Sequence, residues 1–340
     1  MARRRSSGIT SLRFNQDQGC FTCCLTSGLR VYNVDPLVEK AHYSADELGE
    51  VSLCEMVHRS NWLLVVRTRR PHTMIVLDDE KRQLRAEVTF RSPILALHAR
   101  RDKVAVVLST SIQVLSLPGL QRVALIRTPA GARPLCAITA ATTAPTHLLA
   151  APAHRVGSLQ LLDVTTASIR GTQSSSSPAV LACHRGALAC ISLSASGARL
   201  ATASARGTLV RIWDTGARVM LNELRRGADH ADVYCINFNP SATLVCCVSD
   251  KGTLHVWRGG RGGGAGTRIA TAHAPPDTRA IAAFRDDTSA VGTYPIATQE
   301  AGNALMTPLG LQMSIGGDDH LLSGSSYVHF PHENAMKKYG

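Results

Sequence analysis

Apolar and polar positions alternate with a period near two along most of the first 257 residues, broken at short intervals by turn-forming residues. That rhythm predicts many short β-strands. Ile9-Thr10-Ser11-Leu12-Arg13-Phe14 is the first stretch, and Asn15-Gln16-Asp17-Gln18-Gly19 supplies its turn. Residues 20–25 and 29–34 follow around Ser27-Gly28, and Asp35-Pro36 stops the run. The same grammar recurs at 51–57, 62–66 and 73–77, at 94–97, 103–108 and 111–117, and at 135–138, 147–150 and 157–164. Gln173-Ser174-Ser175-Ser176-Ser177-Pro178 then reads as an exposed connection.

Two clearer repeats come next. One runs through residues 188–193 and 199–204 to Gly207-Thr208-Leu209-Val210-Arg211-Ile212-Trp213-Asp214. The other runs through 233–238 and 243–249 to Gly252-Thr253-Leu254-His255-Val256-Trp257. Their Gly-Thr-Leu tripeptides lie about 45 residues apart, the length of a four-stranded propeller blade. Trp213-Asp214 is the dipeptide that marks WD repeats. Isolated strands this short cannot bury their faces alone, and stacking such sheets radially gives them a shared core. The fold expected is therefore all-β, a WD-repeat β-propeller over residues 9–257 with six recognisable blades, preceded by a basic flank at 1–8. After Trp257 the register breaks at Arg258-Gly259-Gly260-Arg261-Gly262-Gly263-Gly264. Residues 258–340 read as a divergent Gly-rich, low-complexity tail, mostly loop or disorder, with short strands at 280–284 and 327–330. The last blade is expected to be incomplete.

Composition narrows the function. The 340 residues are 44% hydrophobic, enough for a large core, and carry a net charge of +12. The charge favours polyanionic surfaces: nucleic acid, anionic lipid or acidic partner segments. Met1-Ala2-Arg3-Arg4-Arg5-Ser6-Ser7 is followed by no apolar signal region, so the ten irregularly spaced cysteines are expected to be reduced and intracellular. Cys20, Cys23 and Cys24 lie where strand neighbours face opposite ways, which fits small buried hydrophobes better than a zinc site. No apolar run approaches the roughly 20 residues that span a bilayer, so any membrane contact is expected to be peripheral. The Gly-rich stretch lacks a Gly-Lys-Ser/Thr ending, and no nucleophile elbow stands out. A binding protein is expected, not an enzyme, with no cofactor and no bound metal.

Leu224-Arg225-Arg226-Gly227 carries the sharpest chemistry. On an extended backbone successive side chains leave on opposite faces. Arg225 and Arg226 would then serve two separate pockets. A guanidinium suits phosphate because its planar fork offers paired donors and stays charged. By itself the pair also fits a solvated basic turn.

The flanking residues change that balance. Ser11-Leu12-Arg13-Phe14-Asn15-Gln16-Asp17-Gln18, Arg30-Val31-Tyr32-Asn33-Val34, His58-Arg59-Ser60-Asn61, Gly157-Ser158-Leu159-Gln160-Leu161 and the Leu-Arg-Arg-Gly segment together resemble the PROPPIN (WIPI) family. These are seven-bladed propellers that bind phosphoinositides during autophagy. Most members carry Phe-Arg-Arg-Gly. The leucine form, with Tyr234-Cys235-Ile236-Asn237-Phe238 and Ser249-Asp250-Lys251-Gly252-Thr253, is most similar to the fourth WIPI type. The likeness covers residues 8–257.

The resemblance implies two lipid-headgroup pockets. Ser204, Gly207, Thr208, Arg211 and Arg225 would form the first, with His184 nearby. Arg226, Ser249, Thr253 and His255 would form the second. The ligands implied are phosphatidylinositol 3-phosphate and phosphatidylinositol 3,5-bisphosphate. Asn15 and Asp17 stand where the family holds a rod-shaped autophagy lipid-transfer protein. A monomer is implied, cytoplasmic and recruited to the preautophagosomal structure or phagophore membrane. Bland roles compete at each position. Thr208 and Thr253 are ordinary strand formers, Ser204 and Ser249 can cap turns, and His184 and His255 can be structural propeller histidines. Asn15 and Asp17 can be turn residues alone.

Residues 258–340 depart from the family pattern. Gly-rich sequence stands where a membrane-inserting loop and further second-pocket residues belong. An incomplete second pocket and weak or absent membrane insertion follow. Two other readings stay open: a WD-repeat protein scaffold without lipid binding, and RNA binding through the basic termini and Arg258-Gly259-Gly260-Arg261. The latter lacks interleaved aromatics, so nucleic acid is not the expected partner.

Overall fold

A computed structural model describes residues 8–165, 178–259, 266–273, 280–284, 289–300, 303–314 and 326–328. The basic flank at 1–7, the serine run at 173–177, the glycine run at 260–265 and the chain after 328 lie outside the described residues.

The strands form seven four-stranded antiparallel sheets, each taken in chain order. The first holds Ile9–Phe14 (β1), Cys20–Leu25 (β2), Gly28–Asn33 (β3) and Val38–Ser44 (β4). The second holds Val51–Met56 (β5), Trp62–Arg67 (β6), Thr73–Asp78 (β7) and Gln83–Thr89 (β8). The third holds Ala96–Arg100 (β9), Lys103–Val107 (β10), Ser111–Ser116 (β11) and Arg122–Arg127 (β12). The fourth holds Ala137–Ile138 (β13), Leu148–Pro152 (β14), Ser158–Asp163 (β15) and Ala179–Ala182 (β16). The fifth holds Leu188–Leu193 (β17), Arg199–Ser204 (β18), Leu209–Asp214 (β19) and Val219–Arg225 (β20). The sixth holds Val233–Phe238 (β21), Leu244–Ser249 (β22), Thr253–Arg258 (β23) and Thr267–His273 (β24). The seventh holds Ile281–Phe284 (β25), Ser289–Glu300 (β26), Asn303–Ser314 (β27) and Ser326–Val328 (β28).

The sheets are propeller blades. Contacts link β1 to β5, β5 to β9, β9 to β13, β13 to β17, β17 to β21, β21 to β25 and β25 back to β1. The innermost strands therefore close a ring around an axial channel of about 960 Å3. The core lies between blades, so the middle strands are buried on both faces. Every residue of β7 is buried, for example. Outer strands pack on one face at most; β8 is exposed or half-exposed throughout. Leu159 and Cys183 of the fourth blade pack with Leu200 and Trp213 of the fifth. Val210 and Leu224 of the fifth pack with Val245 and Trp257 of the sixth. Each fully buried side chain of this size contributes about 1.5–3 kcal/mol. Cys23 and Cys24 belong to this packing, and burial pushes the Cys23 thiol up to about 12.

The last blade differs from the expectation of a propeller that loses its pattern at Trp257. β24 completes the sixth sheet, and β25 packs Ala282 and Phe284 against Cys246 and Val256. Gln18, in the first turn, stitches the closure: its Nε2 donates to Phe238 O at 3.1 Å, and Phe284 N donates to its Oε1 at 2.7 Å. Asn237 Nδ2 adds a bond to Ala282 O at 2.6 Å. Backbone pairing, two amide side chains and the packing of Phe284 together hold the last blade to its neighbours.

Antiparallel order fixes the two ends of the propeller. First-to-second and third-to-fourth strand turns share the end that carries Asp17. Second-to-third turns and blade-to-blade connectors share the opposite end, where β20 finishes at Arg225.

Candidate functional site

The alternation along β20 separates the two arginines. Glu223 and Arg225 are exposed, whereas Leu224 and Arg226 are buried. Leu224 packs against the sixth blade. Arg211, the cross-strand partner of Glu223, reaches the other way, to the Cys183 carbonyl just past β16 of the fourth blade. Odd-numbered positions thus look toward the seam between blades four and five, and even-numbered positions toward the seam between five and six.

The seam between blades four and five collects His184, Ser204, Arg211 and Arg225. Thr202, Arg211 and Glu223 lie opposite one another across three strands. His184 Nε2 is 3.0 Å from Thr202 Oγ1, and that oxygen also accepts the Trp213 indole N–H at 3.0 Å. Burial, helped by the Arg211 charge, pushes the His184 imidazole from 6.5 down to about 4. It is therefore neutral near pH 7. Arg211 is already engaged. Its Nη1 donates to Cys183 O at 2.6 Å, and its Nε and Nη2 reach Glu223 Oε2 at 2.9 and 2.8 Å. Ser204, two positions from Thr202, is half-buried, and Arg225, two positions from Glu223, is exposed.

Arg226 occupies the neighbouring seam. It is 6% exposed. Its Nε donates to Gly207 O at 2.5 Å and its Nη2 to Asp229 O at 2.7 Å. Its own N–H donates to Thr208 O at 2.9 Å. The main chains of Gly207 and Thr208, grouped with Arg225 in the sequence reading, hold Arg226 instead. Gly207 sits at φ +66, and a Cβ there would fall 1.8 Å from Ala231 O, so only glycine fits this turn. Across the seam, Cys247 pairs with His255, and Arg226 partly offsets the rise that burial gives the Cys247 thiol. Thr253 Oγ1 lies 3.0 Å from His255 Nε2, and the His255 ring sits 5.5 Å from Trp257. Ser249 is completely buried, and its Oγ accepts Lys251 N at 3.4 Å. Among the described residues neither Arg225 nor Arg226 forms an ion pair.

Asn15 and Asp17 lie at the opposite end. Asn15 is 3% exposed; its Oδ1 accepts Cys20 N at 3.0 Å and its Nδ2 donates to His58 O at 3.4 Å. Its side chain builds the turn. Asp17 accepts Gly19 N at 3.0 Å and pairs with the largely exposed Arg59 at 2.5 Å. Burial pushes its carboxyl up, but the Gly19 N–H and Arg59 outweigh that and leave it below the usual range.

Sequence reasoning passed over Glu223, Thr202 and Arg59. Glu223 was within reach, since it stands two places before Arg225 and so on the same strand face. Thr202 and Arg59 gain their roles only from neighbours more than ten residues away.

A model of the PROPPIN family matches residues 8–263. The chain belongs to the PROPPIN family. SVP1-like protein 2 of Pichia angusta is 32% identical over 264 residues, covering 75% of this chain and 71% of that one. Autophagy-related protein 18e of Arabidopsis thaliana is 30% identical over 256 residues, covering 74% and 66%. The crystal structure of Kluyvelomyces marxianus Hsv2 aligns with a TM-score of 0.75 at 21% identity, covering 92% of this PROPPIN and 94% of its counterpart. At that identity the structural match speaks for the propeller fold alone.

Proposed function

We propose that this PROPPIN is a non-enzymatic phosphoinositide reader that docks peripherally on membranes where autophagosomes form. The observation that carries the reading is the divergence of Arg225 and Arg226 into different seams. Two cations on adjacent residues then meet two headgroups. At the first seam the exposed Arg225 supplies charge, while Ser204 and neutral His184 supply short polar contacts. At the second, two of the Arg226 donors are spent on Gly207 and Asp229, and the rest remain for a phosphate. Two weak pockets on one rim gain avidity, because engaging one raises the local concentration of lipid at the other.

The ligands expected are phosphatidylinositol 3-phosphate and the 3,5-bisphosphate. The Asp17–Arg59 pair faces away from the lipid end, so a rod-shaped lipid-transfer partner would bind there without competing for membrane. Vesicle flotation tests the proposal. Vesicles containing phosphatidylinositol 3-phosphate should carry the wild-type protein up the gradient, and Arg225→Thr should weaken that about tenfold or more. Equal flotation by the variant would leave a protein scaffold without lipid binding as the better reading.

A further inference from the structure

We infer that Glu223 is the specificity-determining residue of the first seam: its carboxylate accepts a hydroxyl of the inositol ring and rejects a phosphate on the carbon next to the one whose phosphate Arg225 holds. The inference rests on the phosphoinositide reading above and adds a discriminating acid to it. Glu223 and Arg225 lie two places apart on β20, so their side chains leave the same face about 7 Å from each other. Both are exposed. Arg211 stands directly across from Glu223 on β19. Its Nε and Nη2 both donate to one oxygen, Glu223 Oε2, at 2.9 and 2.8 Å. The other oxygen, Oε1, accepts no hydrogen bond among the described residues, and the side chain is 42% exposed. Oε1 is therefore an open acceptor held in place by the ion pair. Burial, and after it the Arg211 charge, push the His184 imidazole down while Glu223 pushes it up, so the acid and the histidine share one pocket.

A carboxylate beside a phosphate site selects by charge. A hydroxyl donates to it, whereas a phosphate monoester carries about −1.5 to −2 charges and offers acceptor oxygens. With His184 neutral, two guanidiniums and one carboxylate leave the seam a single net positive charge. That suits one phosphate and not two side by side. Arg211 does not relieve a second one, because its Nη1 is bound to Cys183 O and its Nε and Nη2 to the acid. The ring chemistry turns this into a positional rule. The 4-carbon neighbours both the 3- and the 5-carbon. A phosphate at either of those lies on Arg225 with a free 4-hydroxyl toward Glu223, and a 4-phosphate in its place meets the carboxylate.

The test floats the full chain on phosphatidylcholine vesicles containing either phosphatidylinositol 3,5-bisphosphate or phosphatidylinositol 3,4-bisphosphate, two isomers of equal charge. The wild type should prefer the 3,5-isomer about tenfold, the scale of one carboxylate close to a phosphate in water. Glu223→Gln keeps an acceptor oxygen and removes the charge. It should bind the 3,4-isomer about tenfold better and lose most of the preference. Glu223→Asp keeps the charge but shortens the reach to Arg211, and should retain most of the preference. A loss in Glu223→Asp equal to that in Glu223→Gln would show that the acid merely orients Arg211, and overturns the inference. So does a wild type that binds both isomers equally, or a Glu223→Gln variant that discriminates as the wild type does. Each of these leaves the phosphoinositide reading standing, whereas a wild type that floats with neither isomer nor with phosphatidylinositol 3-phosphate takes both down.

Discussion

Replacing Arg226 with alanine should damage the fold as well as any lipid binding, whereas the same change at Arg225 should spare the fold. Arg226 is 6% exposed, and its guanidinium holds the Gly207 and Asp229 carbonyls together. A hydrogen bond involving a charged group contributes about 1.5–3 kcal/mol. Both acceptors lie at a turn and regain some water once the side chain is gone. The net loss for Arg226→Ala should therefore be about 2–4 kcal/mol, and Arg226→Lys, with one point charge in place of a fork, should fall between. Arg225 is exposed and makes no ion pair among the described residues. What the fold uses is its main-chain carbonyl, which accepts Arg268 Nη2 at 2.8 Å and survives substitution. Arg225→Ala should thus stay within about 0.5 kcal/mol of wild type. Urea unfolding of the single variants measures both. Equal midpoints would refute the claim that only Arg226 is structural. The distinction bears on lipid assays too, because a double substitution mixes lost recognition with lost stability.

Other outcomes follow from the same geometry. Glu223→Gln should release the Arg211 fork and raise affinity for phosphatidylinositol 3-phosphate vesicles about two- to fivefold in a flotation titration, the scale of one exposed charge; weaker binding would show that Arg211 needs its partner in place. His184 is held at about 4 when folded but titrates near 6.5 when unfolded, so the unfolded chain binds more protons between those values. Its contribution to stability should be complete above pH 6.5 and should drain away toward pH 4, and His184→Gln should flatten that part of the denaturation-against-pH curve. Gly207→Ala should cost more than about 2 kcal/mol from the φ +66 backbone and the contact with Ala231, read as a lowered melting temperature. Gln18→Ala should loosen the ring at the last blade by about 1–3 kcal/mol, seen as faster amide exchange over residues 281–284 with the third blade unchanged.

The chain itself settles the all-β character, the blade period and the strands that bury their faces. β2, β6, β10 and β22 carry enough apolar residues to be seen without a structure, because being packed on both sides demands it. The Arg225–Arg226 divergence was equally legible, since a period of two is a property of any extended backbone. The outer strands were not. β4, β8 and β12 face solvent over much of their length, so packing does not constrain their residues and no alternation betrays them. The last blade stayed hidden as well: residues 258–340 show no sustained alternation, and β26 and β27 show themselves only as a paired ladder from Ser289 to Ser314.

Only the folded chain decided what each polar group touches. Asn15 reads in the sequence as a turn residue or a partner contact, and Cys20 and His58 are the groups it touches; Arg211 reads as a phosphate ligand, and Glu223 is the side chain it meets. Gly207 owes its identity to Ala231, a neighbour brought close by the connector between two blades. The first seam is the strongest case. Its residues run from His184 to Arg225, and only the pairing of β18, β19 and β20 gathers them on one face. Local pattern determines which residues are strands and which way they point, because both depend on the nearest few bonds. Charge, occupancy and access at a surface depend on residues far apart in the chain, and those are set when the ring closes.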